Sequence, residues 1–405
     1  MIRISFDRDS AIAVGLMSGT SLDGVDAAVV RIEGGGLSAK AKLLHAYSRP
    51  YGDELRERLK DLCVPERSRV DEICGMNALL AEIFAEAARE AVRQAGLSMQ
   101  DVDFVSSHGQ TVWHIPGERD RTGGSDLQSR DPAAVRSTLQ IGDLSVLSKR
   151  LGVPVVGDFR PGDMAVGGQG APLAPYGDLI LFRDEARGRL LQNIGGIGNC
   201  TALPASANPE DVFAFDTGPG NMVIDQAVWL LSGGRMTYDA GGAWGASGTP
   251  CESLVDEMLK HPFFRQAPPK STGREVFGKA YTADFVERAR RDFALSDADI
   301  VATATAFTAR SIAQSYTDFV FPRCRIDEIV VSGGGARNAA LMEMLAELLP
   351  EQAVCSSNEF GVDDDAKEAV IFALLGNDFL RGVPNHLPSA TGASRPTVLG
   401  KLALP

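Results

Sequence analysis

Residues 11–32 read AIAVGLMSGTSLDGVDAAVVRI, and residues 190–203 read LLQNIGGIGNCTAL. Each is an apolar run, a turn dense in glycine and small polar residues, and a second apolar run, which is the pattern of a β-hairpin. In the first, Ala11 to Met17 and Val25 to Ile32 predict strands around the turn Ser18 to Gly24. In the second, Leu190 to Ile194 and Cys200 to Leu203 flank the turn Gly195 to Asn199. Behind each hairpin, short apolar strands alternate with stretches of helical spacing. The two halves share no sequence repeat, yet they open alike. This predicts an α/β protein built from a duplicated architecture of two domains, with mixed sheets flanked by helices and an active site in the cleft between them.

Working outward, a third strand is expected at Leu43 to Tyr47. Apolar residues at Val70, Ile73, Leu80, Ile83, Phe84, Ala87 and Ala91 predict a helix from Val70 to Gln94, with Gly96 as its stop. Val102 to Ser106 predicts a strand, Gly117 to Thr138 a flexible surface loop, and Asp143 to Leu151 a helix. The strand Val153 to Val156 is read as the entry to the second domain. The first domain is therefore expected to span 1–152 plus about 375–405, and the second 153–374. Within the latter, Val212 to Phe215 and Ile326 to Val331 predict strands, and Ser296 with Asp299 fits a capping box opening a helix through Val320. Gly333 to Asn338 leads into a helix through Leu349, and Ala366 to Leu380 is a final amphipathic helix.

The bulk numbers bound the function. The chain has 405 residues, enough for two cores, and a net charge of −13 that repels nucleic acid and anionic membranes. The six cysteines include no CxxC and have no histidine at metal-ligand spacing, so they read as thiols of a reducing cytoplasm. The start, MIRISFDRDS, carries charges where a signal peptide needs apolar residues, and no apolar run approaches the roughly 20 residues of a membrane span. A cytoplasmic protein is expected.

Four glycine-rich turns follow apolar strands: Gly15 to Gly24, Asn193 to Asn199, Asp216 to Asn221 and Gly333 to Asn338. Any one of them is explained equally well as a plain hairpin. Together they fit a triphosphate, because backbone N–H groups converge on an anion only where no Cβ obstructs the approach. No GxxxxGK[ST], GxGxxG after a strand, HRD or DFG occurs, so P-loop, dinucleotide and protein-kinase sites are excluded. The phosphates would then be held by hairpins from both domains, the arrangement of actin, Hsp70 and sugar kinases. In such a site Asp23 would orient Mg²⁺ through water. Asp216 ends a strand, as a catalytic carboxylate or as a helix N-cap. Asp158, Arg160, Asp163 and Gln169, interleaved with glycines over 157–173, suit a hydroxyl-rich ligand or an ordered loop. His108 with Gln110 has the same two readings.

The motifs LMSGTSLDG (16–24), SHGQT (107–111), GGQGAPL (167–173), NIGG (193–196), FDTGPGN (215–221), PPKSTGRE (268–275), GGG (333–335) and AKEA (366–369) occur in one order. With them the chain resembles the anhydro-N-acetylmuramic acid kinases, from about residue 12 to 400. The resemblance implies two actin-like (ribonuclease H-like) domains and an ATP- and Mg²⁺-dependent enzyme. Its small-molecule substrate would be 1,6-anhydro-N-acetylmuramic acid, hydrolysed and phosphorylated on O6 during peptidoglycan recycling. By position Asp216 would be the general base. Gly19, Thr20, Ser21, Leu22, Asp23, Gly24, Val25 and Asp26 would hold ATP phosphates, with Asn193, Gly195 and Gly196 opposite, and Gly333, Gly334, Gly335 and Asn338 by the nucleoside. Asp158, Arg160, Gln169, Pro172 and Glu368 would line the sugar pocket. The resemblance allows a homodimer. The chain departs from the family pattern by about ten extra residues before the first strand, a longer loop at 117–138, and Gly157 and Gly198 where Ala is common. Two other readings stay open: a kinase for a plain anhydrosugar such as levoglucosan, and an actin-like structural or chaperone ATPase.

Overall fold

A strand buried on both faces needs a cover on each side, and β1 (Ser10–Ser18) is such a strand. It lies within a sheet that also contains β2 (Gly24–Glu33), β3 (Lys40–Pro50), β4 (Phe104–Ile115), β5 (Ser137–Ile141) and β6 (Val155–Gly157). The computed structural model describes residues 8–19, 21–116, 135–361 and 366–405. Across the sheet the order is β3, β2, β1, β4, β6 and then the C-terminal strand Lys401–Ala403, with β5 paired to β4. The first three strands run antiparallel, while β4 and β6 run parallel to β1. Parallel neighbours require crossover segments, supplied here by the helices Val70–Gln94 and Leu144–Leu151. Because side chains alternate along a strand, Val14 and Leu16 join the core with Leu80, Phe84 and Ala88 of the helix Val70–Gln94. On the opposite face lies the helix Lys367–Arg381. It comes so near that a Cβ on Gly15 would overlap the carbonyl oxygen of Ala369.

Three sequence expectations change in this unit. Val155–Gly157 pairs in parallel with Val105–Ser107, so it is a strand of the first sheet and not the entry to a second domain. The chain divides into one compact unit, Met1–Leu181 with Asp365–Pro405, and another, Phe182–Asp364, in place of boundaries at 152/153 and 374/375. Apolar pattern alone gave no signal of which sheet a short strand joins. The loop expected at 117–138 is shorter at its end, since Ser137 and Thr138 open β5; residues 117–134 lie outside those described. The helix Val70–Gln94 has the expected bounds, and Gly96 ends it at φ +73°.

The second unit contains β7 (Arg189–Ile194), β8 (Ile197–Leu203), β9 (Phe213–Pro219), β10 (Glu328–Ser332) and β11 (Ala353–Ser356), ordered β11, β10, β7, β8, β9. Here β7 to β9 are antiparallel and β10 and β11 are parallel to β7. Both sheets thus have one connectivity, an antiparallel meander whose first strand is extended by parallel strands, which is the ribonuclease H-like arrangement expected of each half. The helix Asp297–Phe319 opens on the expected capping box, Ser296 Oγ donating to Asp299 Oδ2 at 2.7 Å. It is buried along most of its length, and its threonines satisfy themselves locally: Thr305 Oγ1 donates to the Val301 carbonyl at 2.9 Å. Two apolar clusters fill this unit, one around Leu190, Ile194, Ile329 and Tyr316, the other around Val255, Phe264, Phe277 and Phe307. Among the described residues no helix is long and apolar enough to cross a membrane.

Candidate active site

In the first unit, the turn between β1 and β2 carries Gly19, Ser21, Leu22, Asp23 and Gly24; Thr20 lies outside the described residues. Ser21 Oγ donates to Asp23 Oδ1 at 2.7 Å, and the Asp23 carbonyl accepts from Tyr51 N at 2.8 Å. Leu22 adopts φ +58°, which costs a residue with a Cβ about 1–2 kcal/mol. Its buried side chain in the core with Val25 offsets that cost. Asp26 follows on β2 and accepts from the Ser48 hydroxyl.

The turn is anchored from below by the SHGQT segment of β4. Ser18 Oγ lies 2.8 Å from the Gly24 carbonyl, 2.7 Å from the Tyr51 hydroxyl and 2.7 Å from Gln110 Oε1. The amide of Gln110 donates to the Gly19 carbonyl at 3.1 Å. His108 Nδ1 faces the carbonyls of Gly109 and Ser18, at 2.8 and 3.2 Å, so that nitrogen carries the proton. Its Nε2 then accepts from Arg160 Nη2 at 2.9 Å and Arg160 Nε at 3.1 Å. Burial and the Arg160 charge hold the imidazole neutral, pushing it down to about 3. Arg160 Nη1 donates onward to the Gly170 carbonyl at 2.7 Å. A continuous path of hydrogen bonds therefore joins the Gly19–Gly24 turn to the Gly167–Gly170 loop, through His108 and Gln110. Sequence alone could not separate this role from that of an ordinary buried histidine.

Of the other expected sugar contacts, Asp158 is ion-paired with Lys401 of the C-terminal strand. Gln169 and Pro172 are exposed, and Gln169 N donates to the Thr391 carbonyl at 2.9 Å. Glu368 is exposed in the first turn of the helix Lys367–Arg381. The protein around it raises its carboxyl, Lys367 and Arg160 lower it, and Asp178 and Asp26 add to the rise. The loop is held by Asp163, which in the sequence is only one polar residue among several in 157–173. Asp163 is fully buried and accepts from Thr391 Oγ1 at 2.6 Å, His386 Nδ1 at 2.7 Å and Gly170 N at 2.7 Å. Because Thr397 N donates to His386 Nε2 at 3.0 Å, the proton of this histidine sits on Nδ1 and points at Asp163. Burial raises this carboxyl, but the three donors overcome it and hold it below the usual range.

In the second unit, β7 and β8 are joined by Gly195 and Gly196. Their carbonyls accept from the start of the helix Asn221–Leu231: Asn221 N to Gly195 at 2.7 Å, Gly220 N to Gly196 at 2.9 Å. Asn221 Nδ2 donates to the Ile194 carbonyl at 3.1 Å, and Thr308 Oγ1 braces the Gly220 carbonyl at 3.0 Å. The turn after β10 lies on this same spot. Gly333 has φ +81°, and a Cβ there would stand 2.6 Å from Asn193 Oδ1 and 2.9 Å from the Ile194 carbonyl oxygen. The structure thus brings Asn193, Gly195, Gly196 and Gly333 to Gly335 together at the ends of β7 and β10. Asn338 is buried, and its side chain accepts from Leu341 N at 3.0 Å as the N-cap of the helix Ala339–Leu348.

Asp216 sits on β9 opposite Asn199. Its backbone N donates to the Lys270 carbonyl at 3.1 Å, and its Oδ2 accepts from Thr272 N at 2.9 Å. Burial raises its carboxyl above the usual range, while the Thr272 N–H and the Lys270 charge pull the other way. It does not cap the following helix, which starts at Asn221 after Gly220. A carboxylate with one oxygen clasped and its proton affinity raised is suited to taking a proton from water. Lys270 and Thr272 were visible only as part of the PPKSTGRE motif.

For a metal, Asp23 offers a hard oxygen ligand, and among the described residues no group of three or more His, Cys, Asp or Glu side chains could cage an ion. A single hard carboxylate oxygen is the kind of protein ligand that Mg²⁺ takes together with waters and substrate phosphates.

The family model for anhydro-N-acetylmuramic acid kinase matches residues 11–404. The chain is 45% identical over 404 residues to the anhydro-N-acetylmuramic acid kinase of Caldanaerobacter subterraneus subsp. tengcongensis, spanning 100% of this chain and 99% of that protein. To the protein of that name from Bacillus thuringiensis subsp. konkukian it is 40% identical over 394 residues, spanning 97% and 99%. Among solved structures, component A of the (R)-2-hydroxyglutaryl-CoA dehydratase of Acidaminococcus fermentans aligns with TM-score 0.43 and 12% identity, over 90% of this chain and 96% of that one. Neither its chemistry nor its partners transfer at that distance. On the full-length sequence match, the chain belongs to the anhydro-N-acetylmuramic acid kinase family.

Proposed function

We propose that this chain hydrolyses the anhydro bond of 1,6-anhydro-N-acetylmuramic acid and transfers the γ-phosphoryl group of ATP to O6. The products are N-acetylmuramic acid 6-phosphate and ADP. The reading puts the enzyme in the cytoplasm, serving peptidoglycan recycling, and allows a homodimer. The observation that carries it is the setting of Asp216: a half-buried carboxylate with Oδ2 held by Thr272 N–H, inside a motif of the matched family.

In the proposed reaction Asp216 takes a proton from water as the water oxygen bonds to C1 of the sugar. The C1–O6 bond breaks, and its electron pair stays on O6. O6 then bonds to the γ-phosphorus while the bond to the β-phosphate oxygen breaks and ADP leaves. No free alkoxide has to persist, because phosphorus accepts the charge as it develops. A positioned base contributes roughly 10²–10⁴-fold to such a step. The residues of the Gly19–Asp26 turn and of the Asn193, Gly195, Gly196 and Gly333–Gly335 cluster are assigned to ATP, with Asn338 behind the latter. Asp23 would hold Mg²⁺ through water, an ion that supplies charge neutralisation at the phosphates. Arg160, Gln169, Pro172, Asp158 and Glu368 are assigned to the sugar. For Asp158 this means sharing its carboxylate with Lys401.

Turnover in ¹⁸O-water tests the reading. The label is expected at C1 of N-acetylmuramic acid 6-phosphate and absent from phosphate. Label in phosphate, or levoglucosan consumed far faster than the muramyl sugar, overturns it.

A further inference from the structure

A lysine ammonium is costly to bury, and among aromatic rings a phenylalanine or methionine would fill the same space without that cost. Lys270 is buried nonetheless. Its Nζ lies 4.6 Å from the ring centre of Phe263, 4.6 Å from that of Phe319 and 5.8 Å from that of Phe215, and it donates to the Phe263 carbonyl at 3.4 Å. Cations over ring faces are held by the ring quadrupole, more strongly as water is excluded. The three rings come from three places: Phe215 is the residue before Asp216 on β9, Phe319 ends the helix Asp297–Phe319, and Phe263 belongs to the helix Pro262–Arg265. One ammonium therefore ties the loop carrying Pro268 to Gly273 to β9 and to the helices Pro262–Arg265 and Asp297–Phe319. The main chain of that loop grips Asp216 twice, through the Lys270 carbonyl and the Thr272 N–H.

We propose that Lys270 is the positioning residue for Asp216: caged by Phe215, Phe263 and Phe319, it fixes the clasping loop and places a positive charge behind the carboxylate, so that Asp216 stays ionised with Oδ1 directed to the attacking water. The proposal rests on the reading of Asp216 as the base. The acidic groups acting on the ammonium are the Cys200 thiol of β8, Asp318 of the helix Asp297–Phe319, and Asp216 itself. The thiol is held protonated by burial, which leaves the two carboxylates as counter-charges. Burial pushes the ammonium down to about 8 and the Asp216 carboxyl up. Their mutual attraction opposes both shifts, so losing the lysine charge lets the carboxyl rise further.

Two measurements on the full-length chain test this. In the pH profile of kcat, Lys270→Met is expected to move the acid limb upward by about one unit, while Lys270→Arg keeps it at the wild-type position. A lysine that only filled space would lower the rate at every pH and leave the limb where it was, and that result overturns the proposal. The second measurement needs no substituted lysine. Followed by carbon NMR in the wild-type chain, and assigned by its loss in Asp216→Asn, the Asp216 carboxyl signal is expected to show a second, smaller step near pH 8 as Lys270 loses its proton. A signal flat through that range overturns the proposal even if Lys270→Met does not fold. Failure of the wild-type enzyme to phosphorylate the muramyl sugar would instead strike the functional reading, and the NMR coupling of the two residues would still be measurable.

Discussion

Burial raises a carboxyl's pKa, and two aspartates here show what decides whether it stays raised. Asp216 has one backbone donor and a nearby ammonium, which do not cancel the burial, so it remains a better base than an exposed aspartate. Asp163 has His386, Thr391 and Gly170 N–H aimed at it, and they depress it below the usual range. The first has the raised proton affinity that the proposed base needs, and the second holds a loop. Asp216→Asn is expected to retain nucleotide and sugar binding by calorimetry while kcat falls by roughly 10²–10⁴-fold, with ring opening and phosphorylation lost together. Asp163→Ala leaves three buried donors unpaired. It is expected to cost about 3 kcal/mol in denaturant unfolding and to raise the KM for sugar as the Gly167–Gly170 loop loosens. Since the folded pKa of Asp163 is depressed, its contribution is present above the unfolded value near 4 and is lost as pH falls through the folded value. The wild-type excess over Asp163→Ala should therefore shrink in acid.

Elements in this chain are positioned by close approach as much as by pairing. The turn Gly333–Gly335 rests on the end of β7, and the φ of +81° at Gly333 would be strained for any residue with a side chain even if the space were open. Gly333→Ala is expected to weaken ATP binding about tenfold by calorimetry. The strain should also cost stability, by about 1–3 kcal/mol. Periodicity and cap chemistry located most elements, because they act within a few residues: the helix Val70–Gln94 and the Ser296–Asp299 capping box both stand as expected. The exceptions are informative. Val155–Gly157 is three residues long and draws its place from β4, more than forty residues earlier in the chain, so no local signal could assign it. The continuation of β4 through Ile115 was hidden for a similar reason, since its polar SHGQT segment gains strand structure by pairing with β1 and β5.

At the scale of the whole molecule, each unit has its own sheet and core, but only one is continuous in sequence. Residues 182–364 made alone are expected to fold cooperatively, with a single thermal transition. Residues 1–181 alone should remain unfolded or molten, because the helix Lys367–Arg381 that covers β1 and the last strand of the sheet are missing; cooperative unfolding of that fragment would contradict this. The sequence by itself determined the α/β class, the paired hairpins and the family, and singled out Asp216 as the candidate base, because turn glycines and hydrophobic periods are short-range and the motif order is linear. Only the tertiary structure decided that β6 belongs to the first sheet and that His108 couples the Gly19–Gly24 turn to the Gly167–Gly170 loop. It also decided that Asp163 braces that loop and that the backbone of a buried lysine and its neighbour Thr272 clasps Asp216. Those roles depend on partners distant in sequence, and on burial, which sets the charge state of each group only once the chain has folded.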